Sequence, residues 1–306
     1  MTMVLNAPHI RSRDLSGILL AATSFAFLTG ADAVFKLLST GHPGYQILAI
    51  NGLFALLPIF VRAYTTGGPA QLATTRPLLH TVRACAGVMS TLAAIFAYER
   101  LPLTDFYAIV FAGPLLVTIL SAMWLGEKVD FARGCAIAAG FCGILVVANP
   151  FQHSAVSSGD MILGRIAAFA SVFCYAVSVI MVRRMRIGES SLTFSFFGYL
   201  VSIGGGLLLW LMHDTPPLAA ADIAHLALAG MLSGIGSLSM MEAYHRAPVA
   251  MVAPFQYTQI FWGAVASYFL WHSLPNQSLI MGASIVAASG LFVLYRDMRG
   301  KSNAPR

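Results

Sequence analysis

Turn-forming residues cut this chain into ten apolar blocks, most of them about 20 residues long, enough for a helix to span the roughly 30 Å hydrocarbon core of a bilayer. The blocks cover approximately 16–38, 45–61, 78–98, 103–124, 131–149, 161–182, 192–212, 223–242, 249–271 and 279–295. Between them stand GHPG, TTGGP, LPLT, GEK, HDTPP, RAP and SLPNQ. No block alternates apolar and polar residues, so a barrel of spanning strands is not supported. Backbone polar groups in lipid must be satisfied within their own segment, which leaves helices. The expectation is an all-α integral membrane protein with ten transmembrane helices, the second block being short for a span.

Composition agrees with that reading. Hydrophobic residues make up 58% of the chain and charged ones 10%, against about 25% charged in soluble domains. The basic residues also choose sides. With the N-terminus placed in the cytoplasm, 14 of the 18 Lys and Arg fall on the cytoplasmic side, and only Lys36, Arg100 and Arg165 on the other, with Arg83 inside a span. That asymmetry follows the positive-inside rule and predicts cytoplasmic N- and C-termini. The net charge of +6 is therefore a topology signal, and no soluble basic face exists for a nucleic acid. Ala31-Asp32-Ala33 matches an A-x-A cleavage pattern, but the first block is expected to stay as a helix because it has a counterpart later in the chain. Cys85, Cys135, Cys142 and Cys174 all fall in spans, where buried apolar packing is their expected role.

The counterpart comes from a duplication. AYERLP at 97–102 returns as AYHRAP at 243–248, so Ala97, Tyr98, Arg100 and Pro102 recur at an offset of 146. At that offset, give or take one, Gly17 meets Gly164, Ser24 meets Ser171, Lys36 meets Arg183 and Gly143 meets Gly290. Single Gly or Ser matches are cheap in a membrane sequence, but a constant offset through five successive spans is not. The expected layout is an N-terminal tail (1–15), a first repeat (16–150), a linker (151–160), a second repeat (161–296) and a C-terminal tail (297–306). Five is odd, so the halves enter the membrane from opposite sides. Inverted repeats place a pseudo-two-fold axis in the membrane plane and a site near the midplane, the arrangement that supports alternating access.

AYERLP, the following FAGPLLVTILSAMWLGEKV and the small-residue-rich AIAAGFCGILVVA together resemble the EamA-type drug/metabolite transporter superfamily. Pro114, Gly126 and Glu127 match the first-repeat pattern; Ile260 and Ser273 stand at the equivalent places of the second, whose proline is Pro254. The resemblance covers about 16–296 and is nearest to bacterial aromatic amino-acid exporters. It implies a basket of spans 1, 3, 4, 6, 8 and 9 around a central cavity in a bacterial inner membrane, with amino-acid export as the activity. A carrier for another small metabolite or drug, in either direction, is the alternative.

Polar residues inside spans nominate the cavity wall, because amides and charges at membrane depth need partners or water. The ninth span carries Gln256, Tyr257, Thr258, Gln259 and Trp262 after Pro254, with Gln256, Gln259 and Trp262 on one helical face. The sixth offers Ser171, Tyr175 and Ser178. The third offers His80 and Arg83, the latter either snorkelling or facing a solute carboxylate. Phe27 in the first span is a candidate stacking wall. Serines of the eighth span, among glycines, read as close packing. Asp32 and Lys36 stand at i, i+4 and are expected to neutralise each other. No acidic pair sits at the midplane, so facilitated exchange down a gradient fits.

A membrane enzyme would need a convergent nucleophile, base or metal set at one depth. HExxH is absent, no Gly-flanked serine nucleophile occurs, and the eight histidines are scattered. No enzyme activity, cofactor or metal is expected. The partners are a small solute and lipid, and a monomer suffices.

Overall fold

The computed structural model describes residues 12–125, 158–185, 189–246, 255–256 and 258–273, with shorter stretches between 134 and 146 and between 277 and 292. All the regular structure among them is helical. The helices are α1 (Ser12–Ser39), α2 (Gly44–Thr66), α3 (Pro77–Arg100), α4 (Leu103–Val110), α5 (Gly113–Leu125), α6 (Ser158–Met185), α7 (Ser191–Met212), α8 (Ala220–Arg246) and α9 (Thr258–Trp271). Six are long and apolar enough to cross a membrane: α1, α2, α3, α6, α7 and α8. Leu211 and Leu78, 87% and 75% exposed, belong to a surface that lipid covers at no cost. Most of the fifth block and part of the tenth lie outside the described residues.

Local chemistry sets the ends. Pro77 opens α3 where its missing N–H costs nothing, Pro102 precedes α4, and Ser190 caps α7 by accepting from the Leu192 amide at 3.3 Å. Gly67, at φ 147°, ends α2 in a conformation that side chains avoid.

The fourth block departs from expectation. The predicted continuous helix over 103–124 is two helices, α4 and α5, separated by a turn at Phe111–Ala112. Pro114 has no amide to give to the carbonyl of Val110 one turn back. The chain tightens there: the Ala112 amide bonds the Ile109 carbonyl at 2.9 Å.

Helix pairing reproduces the duplication. α1 packs on α8 as α6 packs on α3; α2 packs on α8 as α7 packs on α3; α1 meets α9 as α6 meets α4 and α5; and α2 lies against α7. Each contact becomes another when the halves are exchanged, which is what a two-fold between repeats requires. Small residues permit the close approach. A Cβ on Gly230 or Gly206 would stand 2.6 Å from the carbonyl of Asn51 or Tyr45 in α2.

The cysteines correct the sequence reading. Cys85, Cys135 and Cys142 are exposed and Cys174 half-buried, all as free thiols. They lie at the protein surface rather than in the core, which the periodicity of uniformly apolar spans does not distinguish.

Candidate functional site

The turn before α5 has a counterpart before α9. Phe255 and Gln256 form a short 3-10 turn, and α9 begins only at Thr258, whose hydroxyl donates to the Phe255 carbonyl at 2.6 Å. α5 starts at Gly113 and α9 at Thr258, 145 residues apart, so the two helix starts occupy nearly equivalent places in the repeats. They also meet in space. A Cβ on Gly113 would lie 3.7 Å from Val172 Cγ1 and 3.9 Å from Gln256 Nε2. The start of α5 and the turn before α9, one from each half, thus reach a common point, flanked by α6.

Gln256 lies in the turn before α9, and Gln259 and Trp262 lie on α9 itself. Gln256 and Trp262 are half-buried and Gln259 is 8% exposed. The Trp262 ring packs edge-on against Phe261 at 5.1 Å. Tyr257 lies outside the described residues. α9 is held to α4 through Gly263, whose Cβ position is 2.5 Å from Tyr107 Cδ2 and 2.7 Å from Cε2.

The polar residues of α3 and α6 face each other. Ser90 Oγ donates to the Ser171 carbonyl at 2.8 Å and lies 3.2 Å from its hydroxyl. Ser178 Oγ donates to the Arg83 carbonyl at 3.3 Å. Both serines thus serve helix packing. Tyr175, between them in sequence, is 46% exposed. Phe27 is half-buried, its Cβ 3.3 Å from the Cβ position of Gly236 at the α1–α8 contact. The α8 serines behave as expected: Ser233 Oγ donates to Asn51 Oδ1 at 3.3 Å and Ser237 Oγ to the Gly234 carbonyl at 2.9 Å.

His80 and Arg83 belong to a clamp. Arg83 does not snorkel; its Nη2 donates to the Phe194 carbonyl at 2.7 Å, and its guanidinium lies 5.5 Å from the Phe194 ring centre. His80 is fully buried between Phe194 and Phe197. Its Nε2 stands 3.2 Å from Glu189 Oε2, close enough for an ion pair but without hydrogen-bond alignment. Thr74 Oγ1 donates to the other Glu189 oxygen at 2.9 Å. The clamp ties the start of α3 to the start of α7, across the two halves.

Asp32 and Lys36 do not pair. Lys36 Nζ donates to the carbonyls of Tyr98 and Leu101, each at 2.6 Å, closing the C-terminus of α3 where the helix leaves acceptors free. It also lies 5.4 Å from the Trp271 ring centre. Asp32 instead accepts a hydrogen bond from the Tyr107 hydroxyl at 2.7 Å, with Tyr98 also near it. Spacing alone favoured the acid–base pair; the helix end offered the ammonium better partners. The signal that could have found this is the Tyr98 of the repeated motif itself. Among the described residues, no group of His, Cys, Asp and Glu could hold a metal.

Comparison with known proteins fits this architecture. The chain is 26% identical to an S-adenosylmethionine uptake transporter of Rickettsia bellii, over 89% of this chain and 90% of that one. It is 25% identical to a riboflavin transporter of Vibrio cholerae, over 93% and 94%. A crystal structure matches with a TM-score of 0.65 at 16% identity, covering 95% of this chain and 99% of the other, a likeness in fold. None of these relatives is named as an amino-acid exporter; they favour a carrier for another small metabolite. A profile of the EamA-like transporter family matches residues 15–149 and again 162–295, nearly the whole chain in two repeats, and this multi-pass membrane protein therefore belongs to the EamA-like transporter family.

Proposed function

We propose that the chain takes up a small heteroaromatic metabolite by alternating access between its two halves. The observation that carries this reading is the meeting of the start of α5 with the turn before α9, one from each repeat, at Gly113 and Gln256. Backbone freed by a helix break, beside amides and aromatic rings, supplies both hydrogen bonds and stacking. Gln256, Gln259 and Trp262 would line the solute path, with Tyr257 and Tyr175 as further stacking groups. S-adenosylmethionine and riboflavin, named for the relatives, share a fused nitrogen heterocycle and a polar chain, and solutes of that class suit such a wall. Ser171, Ser178, His80, Arg83 and Phe27 have packing roles and would act on transport only through the shape of the bundle.

Vesicles containing the purified chain should take up labelled S-adenosylmethionine or riboflavin saturably, and phenylalanine less well. Gln259→Ala should lower uptake about tenfold, equivalent to about 1.4 kcal/mol, with normal insertion and melting. If phenylalanine is carried best, amino-acid transport replaces this reading. Equal loss of folding and flux in Gln259→Ala would return Gln259 to packing.

The basic asymmetry supports cytoplasmic termini on either side of the 16–150 and 161–296 repeats, in a bacterial inner membrane. In single-cysteine variants, the 151–159 loop should react with an impermeant reagent from outside the cell. Labelling from the cytoplasm alone would invert the proposed orientation.

A further inference from the structure

We infer that Asp32, held by the Tyr107 hydroxyl, is a proton-carrying site that couples transport to a proton gradient; this rests on the carrier reading above. α1 ends at Ser39, which puts Asp32 about 10 Å inside the helix at about 1.5 Å per residue. Tyr107 is 1% exposed, so the carboxylate that accepts its hydroxyl hydrogen bond points into the bundle. Among the described residues no cation lies within ion-pair distance of it.

The surrounding charges are engaged elsewhere. On α1 itself, Lys36 is bound to the α3 carbonyls and faces Asp105 of α4, which in turn faces Arg165 of α6. α3 adds Glu99 and Arg100, paired with each other at 2.6 Å. On α8, Asp222 pairs with His42 at 3.1 Å, and Glu242 pairs with Arg246 and with Arg62 of α2; His225 lies one turn beyond Asp222. α9 contributes no charged or imidazole side chain over 258–271.

An uncompensated carboxylate in this setting is costly when charged, and accepting a proton removes the charge. The step balances simply. An O–H bond forms at an Asp32 carboxyl oxygen with a proton from water on one side of the membrane, and breaks to water on the other. The Tyr107 hydroxyl donates to the charged form, so it too has a stable state. Tyr107 also packs on Gly263 of α9, which places the titrating group one contact from the helix that bears Gln259. That contact lets a change of charge at Asp32 bias the arrangement of α1, α4 and α9.

The test uses the full chain in lipid vesicles. Infrared difference spectra between about pH 5 and about pH 8, a range that brackets shifted carboxyl groups, should show a protonated carboxyl band that Asp32→Asn removes. A gradient of about one pH unit, acid on the side of entry, should support about tenfold accumulation of S-adenosylmethionine or riboflavin if one proton is coupled. Asp32→Asn should abolish that accumulation while still exchanging labelled for unlabelled solute, and Tyr107→Phe should shift the pH midpoint of both signals. Accumulation indifferent to the gradient, or gradient-driven accumulation that survives in Asp32→Asn, would overturn the proposal. So would a loss of exchange together with accumulation in Asp32→Asn that Asp32→Glu does not restore, which would make Asp32 a solute or packing group. If neither solute moves under any condition, the uptake reading fails, and the carboxyl band alone decides whether Asp32 titrates: its absence overturns the site.

Discussion

Gly263→Ala is expected to destabilise the protein by about 1–3 kcal/mol, the usual cost of overpacking, and to remove most transport. The added methyl would meet the Tyr107 ring at 2.5 Å and 2.7 Å, well inside van der Waals contact. That ring cannot move aside cheaply. It is 1% exposed, its hydroxyl is bonded to Asp32, and its neighbour Phe106 packs against it edge-on at 5.8 Å. α9 would have to withdraw from α4, opening the contact between the halves. Thermal melting in detergent checks the stability part, and vesicle flux the other. Combining Gly263→Ala with Tyr107→Leu should cost less than the sum of the two single changes, because the clash disappears with the ring. Additive costs would mean that the two residues do not share the contact.

Glu189→Ala should cost about 3 kcal/mol of stability, because it strands the partners of a buried carboxylate. Glu189 is 5% and His80 0% exposed at their side chains, and Thr74 depends on the same group. Glu99→Gln is the contrasting case. Its partner Arg100 is adjacent, and its own side chain is 41% exposed, so a change of under about 1 kcal/mol is expected. Melting of the two variants side by side measures the difference. A Glu189 variant as stable as the Glu99 variant would show that the clamp at the starts of α3 and α7 carries no load.

The helix break at Phe111–Ala112 was partly legible. Gly113-Pro114 stands in the middle of an apolar block, and a proline there removes a hydrogen bond whatever surrounds it. The polar residues were legible only as a set. Ser171 and Ser178 look the same in sequence as Gln259, but α3 brings Ser90 and the Arg83 carbonyl against them, while a neighbouring break leaves the Gln256 amide beside Gly113.

Membrane residence, the helical class, the duplication and its inversion followed from the sequence alone. They depend on the length of apolar runs, on a constant offset and on the parity of the span count, which are properties of the chain read in order. The pairing of charges and hydroxyls depended on the tertiary structure. Lys36 finds its acceptors 62 and 65 residues away, and Asp32 finds Tyr107 75 residues away. In a low-dielectric bundle each polar group takes the best partner that packing brings within reach, and which helix supplies it is set by how the two halves dock, not by spacing along one of them.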